Sequence, residues 1–167
     1  MEEHASAAMV TVAQDGTPRV ARVGIALVDG KLWSSGTQDR VRTKRLRRDP
    51  RCTLFVFEAG WKWLTLDTTV RILEGDDAPE LSLRLVRTMQ KKPTGPLGWL
   101  TGDLSEEEFL AAMVEEKRSS TSSTSSAPTE CADRAPRPGV GTLCREHHGL
   151  EHGALVDRIS EALPADS

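Results

Sequence analysis

Residues 29–57 read DGKLWSSGTQDRVRTKRLRRDPRCTLFVF. An Asp-Gly turn signal opens the stretch, KLWSSGT follows, seven basic side chains crowd into residues 40–51, and the chain then turns abruptly apolar at CTLFVF. The order implies a strand, a short basic helix and a second strand. Asp39 is placed to cap a helix running through Arg48. Asp49-Pro50 ends it, because the residue before proline avoids the helical region. CTLFVF is a continuous apolar run of the kind found in a strand buried on both faces.

Upstream, AAMVTVA (residues 7–13) is short, apolar and partly β-branched, and QDGT supplies turn chemistry before PRVARVGIALV. That is a hairpin, and Asp29-Gly30 joins its second strand to KLWSSGT, so the chain begins as an antiparallel meander. Downstream, KWLTLDTTVRIL alternates, with Trp63, Leu64, Leu66 and Val70 among its apolar positions. From Ala78 the period changes: Leu81, Leu85 and Met89 recur four apart, which predicts a helix ending near Lys92-Pro93. Ser105 and Glu108 form a capping box ahead of Phe109, Leu110 and Met113, a second helix. Five strands followed by two helices make a mainly β, α+β chain with short helices.

After Arg118 the character changes within one residue. SSTSSTSSAPTECADRAPRPG has no apolar periodicity and no aromatic. The chain therefore divides into a folded domain over residues 1–118 and a low-complexity, irregular, disordered tail over 119–167. A second reading stands beside the linker, because a five-stranded barrel needs another strand to close its edge. Back-translation with GC-rich codons, read two bases later, turns the Ser/Thr tract into Val-Val-Asp-Val-Val-Asn-Val-Glu-Arg-Ala-Tyr-Gly-Val-Arg, an alternating strand. The expectation is a frame change near Arg118.

Composition sets bounds. The chain has 167 residues, 38% hydrophobic, with a formal net charge of −3, enough for one modest core and too acidic overall for a general polyanion binder. No stretch approaches the roughly 18 apolar residues of a membrane span, and MEEHASAAMV lacks the positive n-region of a signal peptide. The protein reads as cytoplasmic, with no membrane and no nucleic-acid partner. Cys52, Cys131 and Cys144 are scattered and form no disulfide framework; with His147 they lack a zinc spacing, so no metal is expected. His4 precedes the first strand and His147, His148 and His152 fall in the tail, which leaves the catalytic residues unassigned.

The basic run has three readings. It is a solvated helix face, a nucleic-acid patch, or an anion clamp. Nucleic acid needs a broader basic surface with stacking platforms, and three Phe, four Trp and an acidic remainder do not supply one. The third reading starts from KLWSSGT delivering hydroxyl and glycine residues to a helix start, where free backbone N–H groups favour an anion. Arg40, Arg42 and Lys44 then close on a phosphate with charge-assisted bonds.

On MVTVAQDGTPRVARV, residues 29–56 and WLTLDTTVRIL, the span from about Ala7 to Arg118 resembles the pyridoxamine 5'-phosphate oxidase-like split β-barrel superfamily, in its F420-dependent (deazaflavin) oxidoreductase branch. The branch pattern Arg-x-Lys-x-(Arg/Lys)-Asn-Leu-x-x-Asp-Pro is met by Arg40, Arg42, Lys44, Arg45, Leu46, Asp49 and Pro50. Arg42 stands for the usual Lys and keeps its charge, whereas Arg45 replaces an Asn and adds one.

The resemblance implies an antiparallel, FMN-binding-like split β-barrel and a homodimer with paired cofactor grooves. It implies cofactor phosphates held by Ser35, Thr37, Arg40, Arg42 and Lys44, Arg45 close by, and Trp63 near the groove. It also implies an N-terminal helix of which little is present and a final strand ending in a Glu-Arg-x-Tyr-Gly-like sequence, as the shifted reading does. The implied activity is hydride transfer between coenzyme F420 and a small, conjugated organic substrate, the protein supplying binding, orientation and exclusion of water. The alternatives are an FMN flavoprotein of the pyridoxamine 5'-phosphate oxidase type and a cofactor-binding protein that turns nothing over. F420 carries a phosphodiester and an anionic polyglutamate tail, so the extra charge of Arg45, Arg47 and Arg48 favours it over FMN. The loop from Pro93 to Asp103, with Trp99, reads either as a pocket mouth or as a packing lid.

Overall fold

The computed structural model describes residues 6–57, 63–100, 102–125, 130–132, 158–159 and 161–162. Strand β1 (Ser6–Val12) pairs antiparallel with β2 (Pro18–Val28) across a turn in which Gly16 has φ +81° and Asp15 Oδ1 accepts the Thr17 amide at 2.9 Å. Asp29 and Gly30, at φ 50° and 69°, then make the tight turn into β3 (Lys31–Thr37). Positive φ at both central residues matches the twist of the flanking strands, which is why Asp-Gly serves here.

Helix α1 (Val41–Arg48) crosses one end of the sheet and buries Thr43 and Leu46. Its exit, with the Asp49 amide donating to the Arg45 carbonyl at 2.8 Å, releases the chain into β4 (Arg51–Phe57), which pairs with β1, and β5 (Trp63–Leu73) returns along β4. Helix α2 (Ala78–Gln90), the hairpin β6 (Leu97–Trp99) and β7 (Gly102–Leu104), and helix α3 (Glu106–Glu115) follow. The predicted capping box is present in full: the Glu108 amide donates to Ser105 Oγ and the Ser105 amide donates to Glu108 Oε2.

The last barrel strand is β8 (Arg118–Thr124), inserted between β3 and β5. The order β4-β1-β2-β3-β8-β5, with β4 also paired to β5, closes a six-stranded antiparallel barrel, the split β-barrel expected, and β9 (Glu130–Ala132) adds to the start of β5. Met9, Ile25, Leu54, Val56, Leu64 and Leu66 fill the barrel, Leu46 of α1 plugs one end, and Ile159 is buried against the same core. Outside it, Leu85 of α2 packs on Ala26, Val28 and Trp33, and Phe109 and Met113 of α3 pack on Val86 and Leu97. Among the described residues no helix is long and apolar enough to cross a membrane.

Three expectations are corrected. Residues 119–124 are sheet, not tail, because the edges of β3 and β5 leave a gap that only a doubly paired strand fills; most of 126–167, including Cys144, His147, His148 and His152, lies outside the described residues, as does His4. CTLFVF is not buried on both faces: Cys52, Leu54 and Val56 point into the barrel, whereas Phe55 and Phe57 are exposed on its outside. Asp39 does not cap α1. The N-cap is Arg40, without a side-chain hydrogen bond, and Asp39 instead accepts from Thr37 Oγ1 at 2.5 Å.

Candidate anion-binding site at the start of the basic helix

The end of β3 and the start of α1 meet in a tight corner. The Arg40 amide donates to the Thr37 carbonyl at 3.3 Å, and Thr43 Oγ1 donates to the same carbonyl at 2.8 Å. Thr43 thus ties the first turn of the helix to the strand end. The first turn contains no acidic residue and no side-chain cap, so its leading N–H groups lack the acceptors that helix starts usually recruit.

Arg42 points back over β3. Its Nη2 donates to the Ser35 carbonyl at 3.0 Å, while its Nε is buried without a partner. Ser35 Oγ is likewise buried and unpartnered. Burial, and secondarily the like charge of Arg40, push the Arg42 guanidinium below its ordinary pKa. A buried donor without a partner carries a desolvation cost of about 1–3 kcal/mol, which an anion at Arg42 Nε relieves. The guanidinium lies on the Gly36 side of β3, whereas the Ser35 hydroxyl is on the Trp33 side, since successive strand residues face opposite ways. A phosphate fits the Arg42 side of the strand.

Arg40 and Lys44 are exposed and Arg45 is half-buried, and among the described residues none of the three side chains has a hydrogen-bond or ion-pair partner. Arg47 and Arg48 are different. Arg47 is bonded to Glu74 and to the Gln38 carbonyl, and Arg48 to the Val12 carbonyl, so the sequence-based use of these two as extra cofactor charge is corrected: they fasten α1 to its surroundings. Of that trio only Arg45 remains available.

The structure brings Ser35, Thr37, Arg40, Arg42, Lys44 and Arg45 to one corner of the chain and leaves Trp63 elsewhere. Ser35 is level with Ser120 of β8, which is level with Leu73 at the far end of β5. Trp63 begins β5, on the order of 30 Å away by strand rise. It lies instead in an outer aromatic row, 5.8 Å between ring centroids from Phe55, itself 5.7 Å from Phe57. Trp99 is a packing residue: its Nε1 donates to Glu116 Oε1 at 3.1 Å and its ring meets Phe109 edge-on at 5.2 Å.

The glycine that KLWSSGT was expected to deliver to the helix start has a specific role: a Cβ on Gly36 would sit 2.7 Å from Arg42 Nη2, so the glycine makes room for the guanidinium. Thr43 escaped the sequence reading. Its signal was a small polar residue among long basic ones on α1. Two grooves, of ≈ 300 Å³ at Gln38, Ala78, Met113 and Lys117 and of ≈ 510 Å³ at Val10, Asp49, Arg51 and Asp67, lie by the entry and the exit of α1, and neither is lined by Ser35 or Arg42. Among the described residues there is no group of His, Cys, Asp or Glu able to hold a metal ion.

Among solved structures, a conserved hypothetical protein from Mycobacterium tuberculosis is similar at 20% identity and a TM-score of 0.61, covering 84% of this chain and 87% of that one. An F420 reductase is similar at 20% identity and a TM-score of 0.55, covering 80% of this chain and 93% of that one. A heme storage protein from Vibrio cholerae is similar at 14% identity and a TM-score of 0.52, covering 74% and 82%. At these identities the likeness is one of fold. None of the curated proteins matches the sequence. A family model, pyridoxamine 5'-phosphate oxidase, matches residues 1–116. The chain belongs to the pyridoxamine 5'-phosphate oxidase family, within a superfamily of flavin- and deazaflavin-binding oxidoreductases.

Proposed function

We propose that the protein is an F420-dependent oxidoreductase acting on a small organic substrate, and that the corner between β3 and α1 holds the cofactor's phosphate. The observation that carries this reading is the buried Arg42 Nε, without a partner among the described residues, beside an uncapped helix start. Arg42 and the first amides of α1 bind the phosphate, and Thr43 and Gly36 hold Arg42 and the strand end in position. The side chains of Arg40, Lys44 and Arg45, unpaired among the described residues, extend the positive surface beyond a single phosphate, which suits a cofactor with a longer anionic tail. When bound, the deazaflavin supplies hydride chemistry. The chain's part is to anchor and orient it; no described side chain is assigned to acid–base work.

FMN is the second reading. The family model that matches is that of pyridoxamine 5'-phosphate oxidase, and the single phosphate of FMN would satisfy Arg42 Nε equally well. A homodimer belongs to the same proposal: exposed Phe55 and Phe57, with half-buried Trp63 beside them, make an outer apolar row for a second copy to cover.

Side-by-side fluorescence titration with F420 and FMN across a salt series tests the proposal. Preferential binding of F420 that weakens steeply with salt is the expected result. Preference for FMN would replace F420 by the flavin, and binding of neither would remove the cofactor reading. Sedimentation of the full chain checks the dimer.

A further inference from the structure

β8 has an unusual composition for where it sits. Hydrogen-bonded to β3 on one side and β5 on the other, it has residues 119–123 all buried. Ser123 is level with Leu32 and Val70 of the barrel core, whereas Ser120 meets Ser82 of α2 at 3.3 Å between hydroxyls. A strand covered on both faces is ordinarily a near-continuous run of branched apolar residues, since every hydroxyl placed there must find a partner to offset its desolvation. These five positions hold Ser119, Ser120, Thr121, Ser122 and Ser123.

The genetic code connects this strand to an apolar one. A serine codon of the TCN type, read one base early, becomes NTC, which encodes Phe, Leu, Ile or Val whatever the preceding base. A threonine codon ACN becomes NAC, which encodes Tyr, His, Asn or Asp. With TCN codons at its serines, Ser-Ser-Thr-Ser-Ser-Thr-Ser at 119–125 reads apolar at 119, 120, 122, 123 and 125 and polar-bearing at 121 and 124, whatever the third bases.

The structure sorts the same positions in the same way. Residues 119, 120, 122, 123 and 125 are buried and Thr124 is exposed. Position 121 is buried but polar in its surroundings: Thr121 Oγ1 donates to the Ser34 carbonyl at 3.2 Å and lies 3.3 Å from Ser34 Oγ. The apolar positions of the shifted code are thus the buried ones, and its two polar-bearing positions are the exposed Thr124 and Thr121, which meets Ser34.

We propose that the reading frame of this chain changes at the Arg118–Ser119 boundary by the loss of a single base, and that restoring the base gives an apolar β8 of the same length and register. Arg118 keeps its identity in both frames, so its bond to Glu116 and its place over Trp99 are common to both. The inference does not rest on the cofactor reading, since it concerns barrel closure.

The test is to determine the gene sequence through codons 115–130, then to express the full chain as it stands and the full chain with one base restored, comparing solubility and thermal unfolding. TCN codons at Ser119, Ser120, Ser122, Ser123 and Ser125 are expected, with a restored chain that melts at least about 5 °C higher, more than a single ordinary contact gives at this size. AGY codons at most of these serines, or a restored chain that is less soluble or melts no higher, would overturn the proposal. A second variant works within the present frame: Ser119→Val, Ser120→Val, Ser122→Val and Ser123→Val combined. It should also raise the melting temperature, and a fall would show that the slot is not built for apolar side chains.

Discussion

Arg42 lies across Gly36 to reach the Ser35 carbonyl: its Nη2 is 3.0 Å from that oxygen, and a Cβ on Gly36 would come within 2.7 Å of the same nitrogen. The glycine and the arginine thus form one device, in which a missing side chain on β3 gives the guanidinium its seat beside Ser35.

Arg42→Gln removes the buried charge and the orphaned Nε together. Cofactor affinity should fall about 10- to 100-fold, the value of a charge-assisted bond of about 1.5–3 kcal/mol, and its salt dependence should become shallower. Melting temperature should change little, because the variant also relieves a desolvated guanidinium. Unaltered affinity in a fluorescence titration would exclude Arg42 as the anchor.

Gly36→Ala tests the seat without touching a polar group. The added methyl should push Arg42 off Ser35 and weaken cofactor binding, with a loss of stability of no more than about 1–2 kcal/mol, since the obstructing atoms are the end of a flexible side chain. A double variant with Arg42→Gln should bind no worse than Arg42→Gln alone, as expected of residues acting through one contact. Additive losses would separate them.

Asp49 is held down to a pKa of about 2, first by the side-chain bond from Arg51 and next by the Arg51 amide. A carboxylate with a depressed folded pKa adds stability above its unfolded value, near 4, and that contribution is lost as pH falls toward 2. Asp49→Asn should flatten the stability curve between about pH 4 and 2 by lowering stability slightly at neutral pH and leaving it unchanged near pH 2, where the carboxylate is already protonated. Urea unfolding at stepped pH reads the difference, and an unchanged acid limb would count against the pairing.

Ser105→Ala removes the cap of α3, whose hydroxyl accepts the Glu108 amide. The expected cost is about 1 kcal/mol, or roughly 2–4 °C in melting temperature, with cofactor affinity unaffected because α3 packs on α2 and β8, away from α1. A change in affinity would reveal coupling between the helical layer and the basic corner.

Arg118 donates from Nε to Glu116 Oε2 at 2.8 Å and stacks 4.8 Å from the centre of the Trp99 ring, while Trp99 donates to the other Glu116 oxygen. Glu116→Ala should cost about 1–2 kcal/mol by leaving both donors without their acceptor and should shift Trp99 emission to longer wavelength. Unchanged emission would mean that the β6–β7 hairpin is held without this latch.

Much of the barrel was legible because its signals are local. Asp15-Gly16 and Asp29-Gly30 specify turns through φ, the apolar positions of β5 repeat every second residue, and Ser105 with Glu108 marks a helix start within four residues. Phe55 and Phe57 were misread because an apolar run does not say whether its outer half is covered. Arg47 and Arg48 were misread for a related reason: seven basic residues look alike in a string, and only Glu74 and the Val12 carbonyl, distant in sequence, assign these two to fastening α1.

The sequence by itself determined the meander, the basic helix between two strands and the capping box of α3, since each depends on backbone preferences and side chains a few residues apart. Only the tertiary structure decided which cations are unpaired and that Arg42 and Ser35 keep buried polar atoms without partners among the described residues, and that Trp63 stands far from them in the same chain. It also decided that a tract of serines and threonines occupies the closing strand, because the two open edges of β3 and β5 call for hydrogen bonds from a sixth strand whatever its side chains.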